Sequence, residues 1–251
     1  MKTLIATIVL CLAPLTLASA QTCSKQSPAH TVALLELYTS EGCSSCPPAD
    51  HAVSTLQKAA SADLVVPLAL HVDYWDYIGW TDRFAKTDFT QRQRWLADST
   101  GSRAVYTPEM FISGRELRDW SDALGSSIGN INRKPAQASI GIKLGAAAGG
   151  KLPVEVDTNA TAGTKLYIAL YENGLSSNVK AGENNGVVLR HDYVVRDWIG
   201  PITLDTDGGS VSSRTLSVPS SSSSSQLGVA AFVQNKAGEV LQALALPLCG
   251  S

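Results

Sequence analysis

The stretch Val32-Ala33-Leu34-Leu35-Glu36-Leu37-Tyr38-Thr39-Ser40-Glu41-Gly42-Cys43-Ser44-Ser45-Cys46-Pro47-Pro48 holds the densest structural signal in the chain. Val32 to Tyr38 is a short, near-continuous apolar run, the pattern of a strand covered on both faces. A polar turn with two cysteines follows, then two prolines. Proline suits the first turn of a helix, where its missing N–H would have had no partner. Ala49 to Ala60 reads as that helix, with Ala52, Val53, Leu56 and Ala59/Ala60 at i, i+3/i+4, i+7 spacing. A C-x-x-C between a strand and a helix is the context of a dithiol redox pair. The two side chains fall on one turn and can close a small disulfide ring. Free N–H groups at a helix start favour a thiolate at Cys43, the attacking species in exchange, and Cys46 would resolve the mixed disulfide.

Downstream the alternation continues. Leu64 to Leu70 reads as a second buried strand ending at His71-Val72-Asp73, and Phe89 to Ala97 as a helix. Glu109 to Ser113 reads as a third strand and Arg118 to Ile131 as a last helix. Strands alternating with helices predict an α/β domain over 31–134. After Pro135 the pattern changes to about seven short apolar runs, at 140–144, 152–156, 166–170, 187–195, 214–218, 229–233 and 240–246. Turn signals such as Gly149-Gly150, Asn173-Gly174 and Asp207-Gly208-Gly209 separate them. This predicts a second domain over 136–249, an antiparallel β-sandwich. The serine run 220–225 reads as a flexible loop tip between strands.

The chain has 251 residues, is 44% hydrophobic and 17% charged, and carries 20 Lys and Arg against 22 Asp and Glu. It can bury a core, and its balanced charge offers no basic surface to nucleic acid. Lys2, the apolar Leu4 to Leu17 and Ala18-Ser19-Ala20 read as a cleaved export signal over 1–20. Pro14 and the shortness of the run argue against a membrane anchor, and no other segment is apolar enough to span. Export predicts a secreted or periplasmic protein in an oxidising compartment, holding Cys23, Cys43, Cys46 and Cys249. Cys23 and Cys249 are expected to form a structural disulfide between the two ends.

Competing readings of the Cys43/Cys46 pair are half of a zinc site, a fixed structural bridge, and copper or another metal held with His71. No second C-x-x-C or His pair follows at ligand spacing, and no cofactor is expected. Tyr106-Thr107-Pro108 precedes the strand that starts at Glu109, some sixty residues after the pair. The loop His71-Val72-Asp73-Tyr74-Trp75-Asp76-Tyr77-Ile78-Gly79-Trp80 leaves the C-terminal end of a strand, where ligand sites in α/β sheets cluster. Tyr74, Trp75, Tyr77 and Trp80 either line a groove for a peptide or small ligand, with Asp73 and Asp76 orienting it, or fill the gap between the domains. Arg92 and Arg94 are expected to pair with Asp residues of this loop or lie in solvent. Glu183, His191, Asp192 and Arg196 read as a turn at Asn184-Asn185-Gly186 with contacts between the domains. His191 and Asp192, being adjacent in a strand, would face opposite sides.

Residues 36–50 and 71–80, with Arg92-Gln93 and Tyr106-Thr107-Pro108, resemble the motifs of a secreted bacterial family catalogued as domain of unknown function 1223, within the thioredoxin-like superfamily. Gly182-Glu183-Asn184-Asn185-Gly186, with Leu189, His191, Val194, Val195 and Arg196, resembles its β-rich C-terminal part. The resemblance implies a thioredoxin-like first domain and export, with Pro108 a cis-proline facing the cysteines and Thr107 beside it at the substrate position. The chain departs from thioredoxin itself. Gly42 stands where an aromatic residue usually precedes the first cysteine, Ser44-Ser45 separates the pair, and the nearest charges, Glu41 and Asp50, are acidic. Acidic neighbours disfavour a thiolate, and His51 is the one nearby candidate base. The expected function is thiol–disulfide exchange on exported proteins or other thiol substrates with an unidentified redox partner. The alternatives are a binding protein with a fixed Cys43–Cys46 bridge, and metal handling.

Overall fold

A computed structural model describes residues 23–59, 61–102 and 104–249. The expected export segment, 1–20, lies outside them. In chain order the strands are β1 (Cys23–Gln26), β2 (Ala33–Thr39), β3 (Val65–His71), β4 (Glu109–Ile112), β5 (Arg115–Glu116), β6 (Ser139–Leu144), β7 (Lys151–Ala160), β8 (Lys165–Glu172), β9 (Leu175–Asn178), β10 (Val188–His191), β11 (Val194–Thr203), β12 (Gly208–Ser217), β13 (Leu227–Gln234) and β14 (Val240–Pro247). Three helices accompany them: α1 (Pro47–Ala59), α2 (Thr87–Ser99) and α3 (Trp120–Asn132). The fold is β-rich. No helix among the described residues is long and apolar enough to cross a membrane.

β2 and β3 are buried along their whole length, as near-continuous apolar runs require, and pair in parallel from Ala33↔Val65 to Thr39↔His71. β4 adds antiparallel to β2, and β5 to β4. The sheet does not stop at the division expected near Pro135. β11 joins the other edge of β3 in parallel at Val194↔Ala69, and β8, β13 and β14 extend it to the order β14-β13-β8-β11-β3-β2-β4-β5. β3 is buried on both faces and needs a hydrogen-bonding neighbour at each edge, which β11 supplies on the side away from β2. The run read as one strand over 187–195 breaks at Tyr193, whose φ of 57° is left-handed. β10 therefore pairs with β9 in a separate two-stranded ribbon, while β11 enters the large sheet.

The remaining strands form a four-stranded sheet, β1-β6-β7-β12. Its alternating residues Ile140, Ile142, Val154, Val156 and Leu216 share one core with Leu166, Ile168, Val229, Val233 and Leu244 of the large sheet. The other face of β8 and β13 belongs to the core that also contains Leu34, Leu68, Phe89 and Leu96. At its centre lies an ion pair. Arg92 of α2, expected at the aromatic loop or in solvent, is buried against Glu36 of β2, with Arg92 Nη2 donating to Glu36 Oε2 at 3.0 Å. Tyr38 donates to Glu36 Oε1 at 3.2 Å. The guanidinium lies 4.6 Å from the Tyr167 ring, 5.0 Å from Phe232 and 5.3 Å from Trp198. Burial works against its charge, but Glu36 outweighs that and holds Arg92 firmly protonated.

The expected bridge between Cys23 and Cys249 is present, with Cα atoms 5.7 Å apart across 226 residues of sequence. Replacing both cysteines by serine should lower stability by about 3–5 kcal/mol, through the freedom returned to the unfolded chain, read as a lower urea midpoint. Arg92→Met alone should cost about 3–5 kcal/mol by leaving Glu36 buried and unpaired, and adding Glu36→Leu should recover part of it.

Candidate functional site

β2 delivers the chain to the cysteine turn. The Cys43 amide donates to the Ser40 carbonyl at 3.1 Å, and the Cys46 amide to the Cys43 carbonyl at 3.2 Å. The Cys46 carbonyl then accepts from Ala49 and Asp50 at 2.9 and 3.1 Å, opening α1 at Pro47. The helix thus begins two residues before the expected Ala49, and Cys46 is the cysteine directly before it, with Cys43 one turn earlier. The two cysteines form a disulfide and are fully buried, while Ser44 and Ser45 between them are exposed.

Three segments close around this turn. The first is the loop before β4. Its Thr107-Pro108 bond is cis, and Ser45 Oγ donates to the Thr107 carbonyl at 3.4 Å. Gln93 of α2 holds this loop, its amide donating to the Tyr106 carbonyl at 2.8 Å and to Glu109 Oε2 at 2.6 Å. Glu109 is buried, and burial pushes its carboxyl up to about 7.

The second is the aromatic loop. Asp73 accepts hydrogen bonds from the Thr87 and Thr90 hydroxyls at the start of α2, which hold its carboxyl below the usual range. Asp76 Oδ1 accepts from the Asp82 amide at 3.1 Å. Trp80 Nε1 donates to Glu41 Oε2 at 2.8 Å, and Tyr74 and Trp75 pack half-buried against the core. Tyr77 points into solvent, 84% exposed. The Asp residues shape turns, and Trp80 anchors a carboxylate under the cysteine turn.

The third is the link between β9 and β10. Glu183 Oε2 accepts from the Ser44 amide at 3.0 Å and from the Ser44 hydroxyl at 2.7 Å. Asn184 is buried and its amide donates to the carbonyls of Glu41 at 2.9 Å and Cys43 at 3.0 Å. Gly182, at φ +72°, lets the link descend onto Ile78, where a Cβ would meet the Ile78 side chain at 3.0 Å.

Below the turn lies a buried ionisable cluster that sequence reasoning did not assemble. His71 Nδ1 pairs with Asp82 Oδ2 at 2.7 Å. His191 lies between Glu41, 3.5 Å from its Nε2, and Asp50, 3.9 Å from its Nδ1. The two imidazole rings meet edge to face at 5.0 Å. Burial opposes a charge on His71, but Asp82, with Asp50 and Glu41, outweighs it and raises His71 above its ordinary value. Burial would raise Asp82, yet His71 holds it low. Burial also works on Glu41, where the nearby His191 and Ser177 and the Trp80 hydrogen bond prevail and lower it. Burial dominates at Asp50 and raises it. The sequence carried His71, His191, Glu41 and Asp50 as separate residues; only the descent of β10 onto α1 brings them together. Asp192 lies past the end of β10, in the break before β11 and not in a strand as expected, and accepts from the Gly174 amide at 2.8 Å. Arg196 pairs with Glu172, and His51 is exposed. Among the described residues, no group of three His, Cys, Asp or Glu side chains is arranged to hold a metal ion.

The chain is similar to an X-ray structure of a protein from Agrobacterium tumefaciens, at 27% identity and a TM-score of 0.63, covering 90% of this chain and 98% of that one. It is also similar to the structure of HBP35 of Porphyromonas gingivalis, at 15% identity and a TM-score of 0.66, covering 88% of this chain and 76% of that one. No curated protein matches it. The family model described as "Protein of unknown function (DUF1223)" matches residues 34–234, and the chain belongs to that family.

Proposed function

We propose that this is an exported thiol–disulfide exchange protein whose reactive pair is Cys43 and Cys46. In this reading residues 31–134 form a thioredoxin-like unit, and the strands after Pro135 a β-sandwich built onto its sheet. The observation that carries the reading is the disulfide in the turn between β2 and α1, with the Thr107 carbonyl against Ser45. A substrate dithiol would react in two steps. One substrate thiolate attacks Cys43 Sγ, the Cys43–Cys46 bond breaks, and Cys46 leaves as a thiolate that takes a proton. The second substrate thiolate then attacks the substrate sulfur of the mixed disulfide, and Cys43 leaves. The substrate loses two electrons to its new disulfide, and the protein ends as a dithiol. Thr107, next to the cis-proline, offers the incoming chain a backbone edge, and Tyr74, Trp75 and Trp80 wall the same region. The Cys23–Cys249 bridge suits an oxidising compartment.

A second reading draws on the full burial of Cys43 and Cys46. A bridge that solvent does not reach suits a fixed structural role in a binding protein.

The potential of the pair separates the two. Equilibrated in glutathione buffers, an exchange pair should titrate well above about −300 mV, and a value below that marks a structural bridge. A Cys46→Ser variant whose Cys43 is first converted to its mixed disulfide with glutathione should exchange glutathione for a substrate thiol and hold the substrate on Cys43, resolved on non-reducing gels, and Cys43→Ser treated in the same way should trap none. The support of the Thr107 loop has its own signature. Glu109 is favoured neutral in the fold, so its stabilisation is complete below the unfolded value, near 4.3, and disappears as pH rises through about 7. The parent chain should therefore lose Tm between about pH 5 and 7, and Glu109→Gln should flatten that fall.

A further inference from the structure

The link between β9 and β10 has no part in the exchange reading, yet it makes the closest contact with the cysteine turn from the second half of the chain. Glu183 is exposed, so its carboxylate is not drawn to Ser44 by burial. It is aimed there by Asn184, which is buried and bonded to the carbonyls of Glu41 and Cys43 on the other side of the turn. Gly42 and Gly182 both close on Ile78, where an added Cβ would meet its Cδ1 at 3.1 and 3.0 Å respectively. The turn, the aromatic loop and the link are thus interlocked, and Glu183 is held with both donors of Ser44.

Ser44 is the residue after Cys43, and its amide makes no bond within the turn: its partner is the Glu183 carboxylate. When the disulfide opens, a thiolate at Cys43 needs such donors and is weakened by a negative charge beside it. A carboxylate on the Ser44 amide acts in both senses: it consumes the donor and supplies the repelling charge. We propose that Glu183 is a positioning residue that restrains Cys43, holding the turn closed and disfavouring its thiolate. This inference rests on the exchange reading of the pair. In chemical terms, Glu183 makes Cys43 a slower nucleophile and a poorer leaving group, and makes the oxidised form harder to reduce.

The test uses the chain with both bridges, alongside Glu183→Gln and Glu183→Lys. The glutamine keeps acceptor and donor atoms at Ser44 and removes the charge, and the lysine reverses it. Each protein is reduced with a phosphine, and alkylation of Cys43 by iodoacetamide is followed from pH 5 to 10. The other ionisable groups around the pair, Glu41, Asp50, His71, Asp82 and His191, lie beneath the turn and are the same in all three. The midpoint of the rate profile should fall by about half a pH unit in Glu183→Gln and further in Glu183→Lys. Potentials in glutathione buffers should rise in the same order. A packing role alone would leave the glutamine profile in place, so an unchanged Glu183→Gln midpoint overturns the proposal whatever the lysine variant does. The exchange reading is judged separately, by the potential of the parent pair. Because the profile is measured after chemical reduction, a pair that glutathione does not reduce still tests Glu183.

Discussion

Glu36 and Arg92 meet where the two halves of the chain share a core. Burying either partner without the other would be costly, so the pair ties β2 and α2 to one another. The guanidinium is then sandwiched by Tyr167, Trp198 and Phe232, from three strands that lie after Pro135. Arginine suits this place because its flat, weakly hydrated head can pair with a carboxylate in its plane and stack on rings through its faces. One side chain therefore sets both the seating of α2 and the face that β8, β11 and β13 present. The Thr107 loop depends on it at one remove, since Gln93 follows Arg92 on α2 and holds the Tyr106 carbonyl and Glu109.

The same logic governs the cysteine turn. Its scaffold comes from β2 and α1, but what touches it comes from elsewhere: Thr107 before β4, Trp80 and Ile78 from the aromatic loop, Glu183 and Asn184 from the β9–β10 link. His191, at the end of β10 just after that link, completes a buried cluster of two imidazoles and three carboxylates, in which the His71–Asp82 pair favours both of its charges. The second half of the chain is thus a structural part of the site, through Asn184 and His191 above all.

Much of this was legible in the sequence because it is local. The apolar run before Cys43, the two prolines after Cys46 and the spacing of Val53 and Leu56 specify strand, turn and helix within thirty residues. The Cys23–Cys249 bridge followed from counting the cysteines left once the C-x-x-C was set aside. What escaped depends on pairing between segments far apart. The apolar run read over 187–195 reaches only the first two residues of β11 and says nothing of its neighbour, so the joining of β11 to β3 was hidden. Tyr193 looked like a strand residue, and only its left-handed backbone separates β10 from β11. Arg92 read as a surface charge because its partner lies 56 positions earlier, inside an apolar run. Glu183 and Asn184 read as a turn, which they are, and the surface that turn rests on has no local signature.

The bridge between Cys23 and Cys249 turns almost the whole described chain into one closed covalent ring. A chain made from its N-terminus exposes Cys23, Cys43 and Cys46 long before Cys249. Through most of synthesis, then, Cys23 is an unpaired thiol some twenty residues from a pair that can close by itself. The loop from Cys23 to Cys43 is short and entropically easier to form than the native ring. β1 offers Cys23 no shelter in that interval, because its partner strand, β6, is made later. Fidelity of oxidation therefore rests on timing. Closing Cys43 with Cys46 first would remove both wrong partners, and the native ring can be sealed only once Cys249, two residues past β14, has been made.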